Sequence, residues 1–377
     1  MNCKLWRTQA IASALLLSSC LPASDNGTST TADRYLYVAT GACYSGNGNT
    51  TFTTTQASNL VYRINLADAG RDSITADYWS SPSNAGDSPV GIATSGSDLL
   101  VLVENSTTPS LRRIERVTAE ANGARSIYSN NTTALSGVLR RMVKLSDDWL
   151  LVSKSSDVEK MKDGNNRVTN GGNAFIRLAV TASNCITATS LISDIVTLPS
   201  GLVVVLHAAA GKSGFGVISA SGYSIAGDCK NNVFQASPSA SGYPTAAVYD
   251  SVNSKLLVAY AGPTTTDDVN SIYSYDLDST TGAISNPNEI YDSSAFGSTW
   301  NYQLYGISSM TLDPTTNWLY VATATNSSTT VQNYRIEKLT YNAADIGTSN
   351  STVLLRDSTL KDYANDTKCI SQMVIGN

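Results

Sequence analysis

One short strand recurs six times along this chain, and that repetition constrains the fold more than any other feature. The copies are Tyr35-Leu36-Tyr37-Val38, Asp98-Leu99-Leu100-Val101, Trp149-Leu150-Leu151-Val152, Gly201-Leu202-Val203-Val204, Lys255-Leu256-Leu257-Val258 and Trp318-Leu319-Tyr320-Val321. Their Leu column falls at 36, 99, 150, 202, 256 and 319, with spacings of 63, 51, 52, 54 and 63 residues. Apolar runs this short and this continuous suit strands buried on both faces. A single unit cannot bury two such faces, whereas stacked neighbours can.

The flanks of each copy define the unit. From the second copy onward, a small-residue or apolar strand and a polar turn come first, most clearly Met310–Asp313 and Ala247–Asp250. Asp, Asn and Pro in those turns bond or pre-set the backbone locally. An alternating third strand follows each copy, at Leu60–Leu66, Leu111–Val117, Ala174–Val180, Gly214–Ser219, Ser271–Leu277 and Tyr334–Tyr341. A weaker fourth segment closes the unit, such as Ser126–Tyr128 or Val353–Arg356. Four strands repeated about every 57 residues predict an all-β fold, a β-propeller. The chain enters at a second strand, and the segment Cys369–Gly376 resembles the first strand Gly306–Leu312. The tail is therefore expected to supply the innermost strand of blade one, closing six blades within one domain, 33–377. Seven blades are the alternative, with the extra one hidden in the long 36–99 or 256–319 interval. No helical period of ten or more residues appears in the mature chain.

The first residues read as an address. Lys4 and Arg7 precede the apolar run Ala10–Leu17, and Leu17-Ser18-Ser19-Cys20 follows. A basic region followed by an apolar run too short to span a bilayer marks a secretory signal, here 1–19. The Leu-Ser-Ser-Cys ending resembles the bacterial lipobox, which implies a lipoprotein acylated at Cys20. Leu21 replaces the Asp that retains such lipoproteins at the inner membrane, so the resemblance implies the outer membrane of a Gram-negative bacterium. Residues 20–32, small and polar, read as a flexible tether. No later stretch is long and apolar enough to cross a membrane, so contact with the membrane is expected through the lipid anchor only.

Composition removes several functions. The full chain of 377 residues carries 25 Lys+Arg against 30 Asp+Glu, a net charge of −5; cleavage before Cys20 leaves 23 against 30, or −7. A nucleic-acid partner needs a basic footprint that this chain lacks. With His207 its one histidine, no multi-histidine metal site can form. His207 follows the apolar run Leu202–Leu206 without a nucleophile or orienting acid nearby, and reads as a structural residue held by a backbone partner. No nucleophile elbow, phosphate loop or paired-carboxylate signature is present, and Asp163-Gly-Asn-Asn166 lacks the alternating carboxylates of a calcium loop. We expect no catalytic residue, no metal and no cofactor.

Four cysteines of the exported domain, Cys43, Cys185, Cys229 and Cys369, suggest two disulfides. Closure by the tail would place Cys43, past the second strand of blade one, beside Cys369, at the head of its first. Cys185 and Cys229 each follow an expected third strand and would meet on the outer rim; two free thiols are the alternative.

Ligand-binding loops are expected on the face carrying the second-to-third and fourth-to-first connections. The second-to-third connections at 44–59, starting with Tyr44, and 155–172, containing Asp163, are long. The crossing into blade six adds Tyr291, Phe296, Trp300, Tyr302 and Tyr305, a composition suited to a protein or glycan contact or to capping the blade. Two basic clusters, Arg112/Arg113/Arg116 and Arg140/Arg141/Lys144, read as solvated or ion-paired surface. Arg140 or Lys144, on a first strand, is placed to meet an anionic ligand in the central channel.

The strands Leu36–Thr40 and Leu319–Thr323 resemble the Tyr-Val-Thr-Asn-like strands of lactonase and surface-layer propellers, though Gly41 and Ala324 stand where those carry Asn. The resemblance covers scaffold residues and transfers no active-site position. First strands poor in acids, offering little beyond Asp194 and Asp250, disfavour an enzyme. The expected function is that of an envelope-tethered, non-enzymatic propeller binding a protein or glycan through its loop face. The alternative is a periplasmic or surface lactonase-like hydrolase, and a weaker one a scaffold subunit of an envelope assembly machine.

Overall fold

The computed structural model describes residues 34–44, 50–52, 60–66, 74–80, 86–118, 125–130, 137–146, 149–154, 158–162, 175–178, 191–208, 213–220, 229–238, 242–261, 270–295, 306–324, 334–348, 352–362 and 370–376, with Leu135 and Leu304. Six four-stranded antiparallel sheets form a six-bladed β-propeller. Blade one contains β1 (Tyr35–Thr40), the small added hairpin β2 (Ala42–Tyr44) and β3 (Thr50–Phe52), then β4 (Leu60–Asn65) and β5 (Ile74–Ser80). Blade two is β6 (Asp87–Ser95), β7 (Asp98–Asn105), β8 (Arg113–Val117) and β9 (Arg125–Ser129). Blade three is β10 (Leu139–Ser146), β11 (Trp149–Lys154), β12 (Val158–Lys162) and β13 (Phe175–Leu178). Blade four is β14 (Leu191–Thr197), β15 (Leu202–Ala208), β16 (Gly214–Ser219) and β17 (Cys229–Ala236). Blade five is β18 (Tyr243–Asp250), β19 (Lys255–Ala261), β20 (Ser271–Leu277) and β21 (Ile284–Asp292). Blade six is β22 (Ser309–Asp313), β23 (Trp318–Ala324), β24 (Tyr334–Tyr341) and β25 (Leu354–Asp362).

The tail strand β26 (Ile370–Gly376) pairs antiparallel with β1, from Tyr35 opposite Gly376 to Thr40 opposite Ile370, and becomes the innermost strand of blade one. Closure removes the free edges a linear array would expose. The six Leu-centred copies are the second strands of the six blades. Their side chains alternate between the two faces of the sheet, so each blade feeds two inter-blade cores. Leu100 and Leu102 join the core shared with blade three, while Leu99, Val101 and Val103 join the core shared with blade one. Burying each such side chain contributes about 1.5–3 kcal/mol.

The first-to-second turns behave as their sequences predict. Asp250 Oδ1 accepts from the Val252 and Asn253 amides at 3.0 and 3.2 Å, and Asp313 Oδ1 from the Thr315 amide at 2.9 Å. Ser254 and Asn317, with φ of 54° and 57°, take the left-handed position that Gly96 and Gly201 fill elsewhere.

Blade three departs from the expectation. The segment 155–172, read as one long second-to-third loop, contains β12, which pairs with β11 and with β13. The strand expected third, near Ala174–Val180, is therefore the fourth. The charges that made 158–162 look like a loop are absorbed by burial: Lys154 Nζ donates to Glu159 Oε1 at 2.7 Å and Lys160 Nζ to the Ala220 carbonyl. Cys229 opens the fourth strand of blade four.

Candidate functional site

In every blade the innermost strand runs from the loop face to the turn face, with one edge paired to the second strand and the other lining the central channel. Shortly after the start of five of these strands an extra residue bulges out of the ladder: Val90, Arg140, Ser193, Thr245 and Ser371. In blade six Ser308 occupies the same place, its amide donating to Ala322 O at 3.0 Å. Bulges re-aim side chains, and here they aim them at the next blade. Three of the bulged residues reach carbonyls on the neighbouring inner strand: Ser371 Oγ lies 2.9 Å from Pro89 O, Arg140 Nη1 donates to Ile192 O at 3.0 Å, and Ser193 Oγ donates to Pro244 O.

The residues one step further reach amides. Gln372 Oε1 accepts from Ile92 N at 3.0 Å, Asp194 Oδ2 from Ala247 N at 2.9 Å, and Ser309 Oγ from Met373 N at 3.0 Å. Gln372 also reaches blade three, accepting from Met142 N at 3.3 Å and donating to Met142 O at 2.9 Å. Arg141 crosses the ring, donating to Ser308 O at 2.7 Å, with its Nε 3.4 Å from Asp194 Oδ1. At the same level Gly91 has no side chain because none fits: a Cβ there would lie 2.7 Å from Met142 N. Edge groups that would otherwise face an empty channel are thus satisfied by neighbouring side chains. Burial lifts the Asp194 carboxyl above its usual range, although Arg141 and two amides pull the other way.

This layer bridges the ring, from blade one to blades two and three and from blade three to blades four and six. Toward the turn face the inner strands open: Thr94, Val143, Lys144, Val196, Thr197, Val248, Tyr249, Thr311 and Val374 are half-buried where the preceding residues are buried. They surround a cavity of about 310 Å³ whose floor carries Asp194 and Gln372. Lys144 therefore lines the channel as expected. Arg140 and Arg141 are neither solvated nor on the surface; they are 2% and 1% exposed, because the bulge puts two adjacent side chains into the interior.

The other cluster is ion-paired. Arg112 meets Glu104 at 2.6 Å, Arg113 meets Asp87 at 2.7 Å and Glu115 at 2.6 Å, and Arg116 meets Asp98. Glu115 in turn accepts from Trp79 Nε1 at 2.6 Å. His207 is fully buried opposite Ile192 and Gly214, and burial pushes its imidazole down to about 3, so it is neutral. Tyr291 is buried, its hydroxyl accepting from Leu304 N at 2.7 Å, which anchors the crossing into blade six on the blade core. Cys20, Asp163, Cys185, Phe296, Trp300, Tyr302, Tyr305 and Cys369 lie outside the described residues. Cys43 and Tyr44 lie in β2, and Cys229 opens β17. Among the described residues no group of three or more His, Cys, Asp or Glu could hold a metal ion.

The channel floor was missed in the sequence, although a signal existed. Ile192-Ser193-Asp194, Ile307-Ser308-Ser309 and Ile370-Ser371-Gln372 repeat an Ile-Ser-polar triplet that marks the bulge.

No protein-family model matches the chain, and no curated protein matches it. Solved structures similar to it include a protein from Lactobacillus plantarum, 14% identical over 87% of this chain and 82% of that one, with a TM-score of 0.47. The GH74 enzyme of Niastella koreensis is 17% identical over 85% of this chain and 45% of its own, with a TM-score of 0.46. YCF48 bound to the D1 peptide is 9% identical over 85% and 81%, with a TM-score of 0.42.

Proposed function

We propose that this protein is an exported lipoprotein, anchored through Cys20 to the outer membrane, whose propeller binds a protein or glycan partner through its loop face and does no chemistry. The observation that carries this reading is the point of entry into the ring. Arg34 and Tyr35 lie at the turn-face end of β1, beside Gly376. The β2–β3 insertion and the aromatic crossing between β21 and β22 join strand ends at the opposite face. These loops therefore lie opposite the point at which the chain enters the ring.

The cross-ring layer supports binding over hydrolysis. A substrate approaching from the loop face meets the Gln372–Arg141–Asp194 layer, and the Asp194 oxygens already accept two amides. The ring closure also bears on the disulfides. The strand β2, which carries Cys43, packs beside β26, which begins one residue after Cys369. We therefore place a Cys43–Cys369 disulfide across the closure; a mass-spectrometric map joining Cys43 to Cys185 or Cys229 would overturn it.

The test is cross-linking of the tagged protein in its native envelope, with Cys20→Ala as control, alongside glycan-array binding of the domain 33–377. A discrete protein or glycan ligand weakened by Trp300→Ala or Tyr302→Ala supports the reading. A protein recovered alone, silent on the array, and hydrolysing a lactone panel would sink it.

A further inference from the structure

The open end of the channel is a built cavity on the face opposite the proposed docking loops, and its chemistry is specific enough to name a ligand class. We infer that it binds a polyol the size of one hexose. This inference is independent of what the loop face binds.

Three features carry it. The first is the wall. Ile92 and Met373 direct their amides into the channel, where Gln372 and Ser309 accept them. Backbone direction repeats every second residue along a strand, so Thr94 and Ile375 turn their N–H and C=O groups to the same side one step nearer the mouth. Ala247 places Tyr249 likewise, and the Lys144 carbonyl, two residues past Met142, accepts from Thr197 Oγ1 at 3.1 Å. A ring of strand edges offers donors and acceptors in alternation. Hydroxyl groups, each both donor and acceptor, match such a wall better than a purely anionic or purely cationic ligand.

The second feature is the floor. Asp194 and Gln372 are each 8% exposed, yet both border the cavity. The Gln372 amide nitrogen donates one of its two hydrogens to Met142 O, and the Asp194 carboxylate, paired with Arg141, retains acceptor capacity. The carboxylate on blade four offers acceptors and the carboxamide on blade one a donor to hydroxyls on different sides of a ring. Thr94 and Thr311 add side-chain hydroxyls from blades two and six.

The third feature is the collar between floor and rim, where Val143, Val196, Val248 and Val374 pack against the inter-blade cores and also border the cavity. These supply apolar contact for the C–H faces of a ring. The cavity of about 310 Å³ is at the lower end of small-ligand sites, and so fits one ring, not an oligosaccharide.

The experiment is saturation-transfer NMR on the intact domain with five separate probes: glucose, galactose, glucuronate, galacturonate and myo-inositol, each at about 10 mM, ten times a Kd of 1 mM. At least one is expected to bind. Val196→Phe, which enlarges a side chain bordering the cavity, is expected to abolish the signal. Thr94→Val and Thr311→Val, nearly isosteric, should each weaken binding about threefold to tenfold, the loss of one neutral hydrogen bond. Thermal unfolding of each variant separates loss of the site from loss of the fold, and the Thr variants decide if Val196→Phe is unstable. No binding of any probe to the folded wild type overturns the inference. So does binding that Val196→Phe and both Thr variants leave unchanged. The cross-linking and array results on loop-face variants are untouched by either outcome.

Discussion

The two halves of the central channel are lined by the same six strands and yet differ in kind. Toward the loop face, within a few residues of the bulges, Arg141, Asp194, Ser309, Ser371 and Gln372 bind blade to blade. At the turn face, three residues further along, Val, Thr, Lys and Tyr side chains border an open cavity. The difference is one of register: a single extra residue per strand turns two consecutive side chains toward the neighbouring blade. Where the bulge ends, ordinary alternation resumes, and side chains such as Val143 and Val196 pack against the inter-blade cores while still bordering the cavity. The ring is thus sewn at one end and left open for a ligand at the other.

The sharpest way to break this contrast is Arg141→Ala. It removes the cation that faces the buried Asp194 carboxylate and the bond across the ring to Ser308 O. A loss of about 3–5 kcal/mol is expected in chemical denaturation near neutral pH, shrinking in acid, where Asp194 can take up a proton. Gly91→Ala, in the same layer, forces a Cβ onto the Met142 backbone and should cost about 1–3 kcal/mol. A turn-face substitution such as Thr311→Val is expected to stay within about 0.5 kcal/mol. Equal losses at both ends would dissolve the distinction.

The pH dependence sharpens it. The folded state holds the Asp194 proton to higher pH than the unfolded chain, whose carboxyl has the ordinary value of 3.8. This contribution to stability is present below that value and is lost as pH rises through the raised folded value. Asp194→Asn should remove that downward slope. At the turn face the sign reverses at Asp313. Burial opposes its ionisation, but the Arg34 guanidinium at 2.7 Å and the turn hydrogen bonds outweigh burial and hold the carboxyl low. Its contribution is present above 3.8 and is lost as pH falls. Arg34→Ala should flatten that acid limb and cost about 1 kcal/mol or less, since Arg34 is partly solvated. The smallest expected effect is a gain: Ser254→Gly relieves a left-handed residue in the blade-five turn and should add roughly 0.5 kcal/mol, read as a small rise in denaturation midpoint.

Much of the scaffold was legible because its signals are local. The third strands Gly214–Ser219, Ser271–Leu277 and Tyr334–Tyr341 stand where alternation put them. Blade three misled because Glu159 and Lys160 look like loop residues until Lys154 and the Ala220 carbonyl partner them. Of the candidate site, Lys144 was legible from its place on a first strand. Arg141 and Gln372 were not, because adjacent residues on a strand are expected on opposite faces and the bulge suspends that rule.

The propeller fold, the closing strand and the double burial of the second strands were readable in the sequence, which left six and seven blades open. Repetition and apolar continuity are written residue by residue and need no partner to be read. The folded ring alone fixes the count of six blades, where the inner strands are bridged across the channel, and which arginines are interior. Those outcomes depend on register between strands from different blades, distant in sequence, where a shift of one residue exchanges a hydrogen-bonded floor for open space.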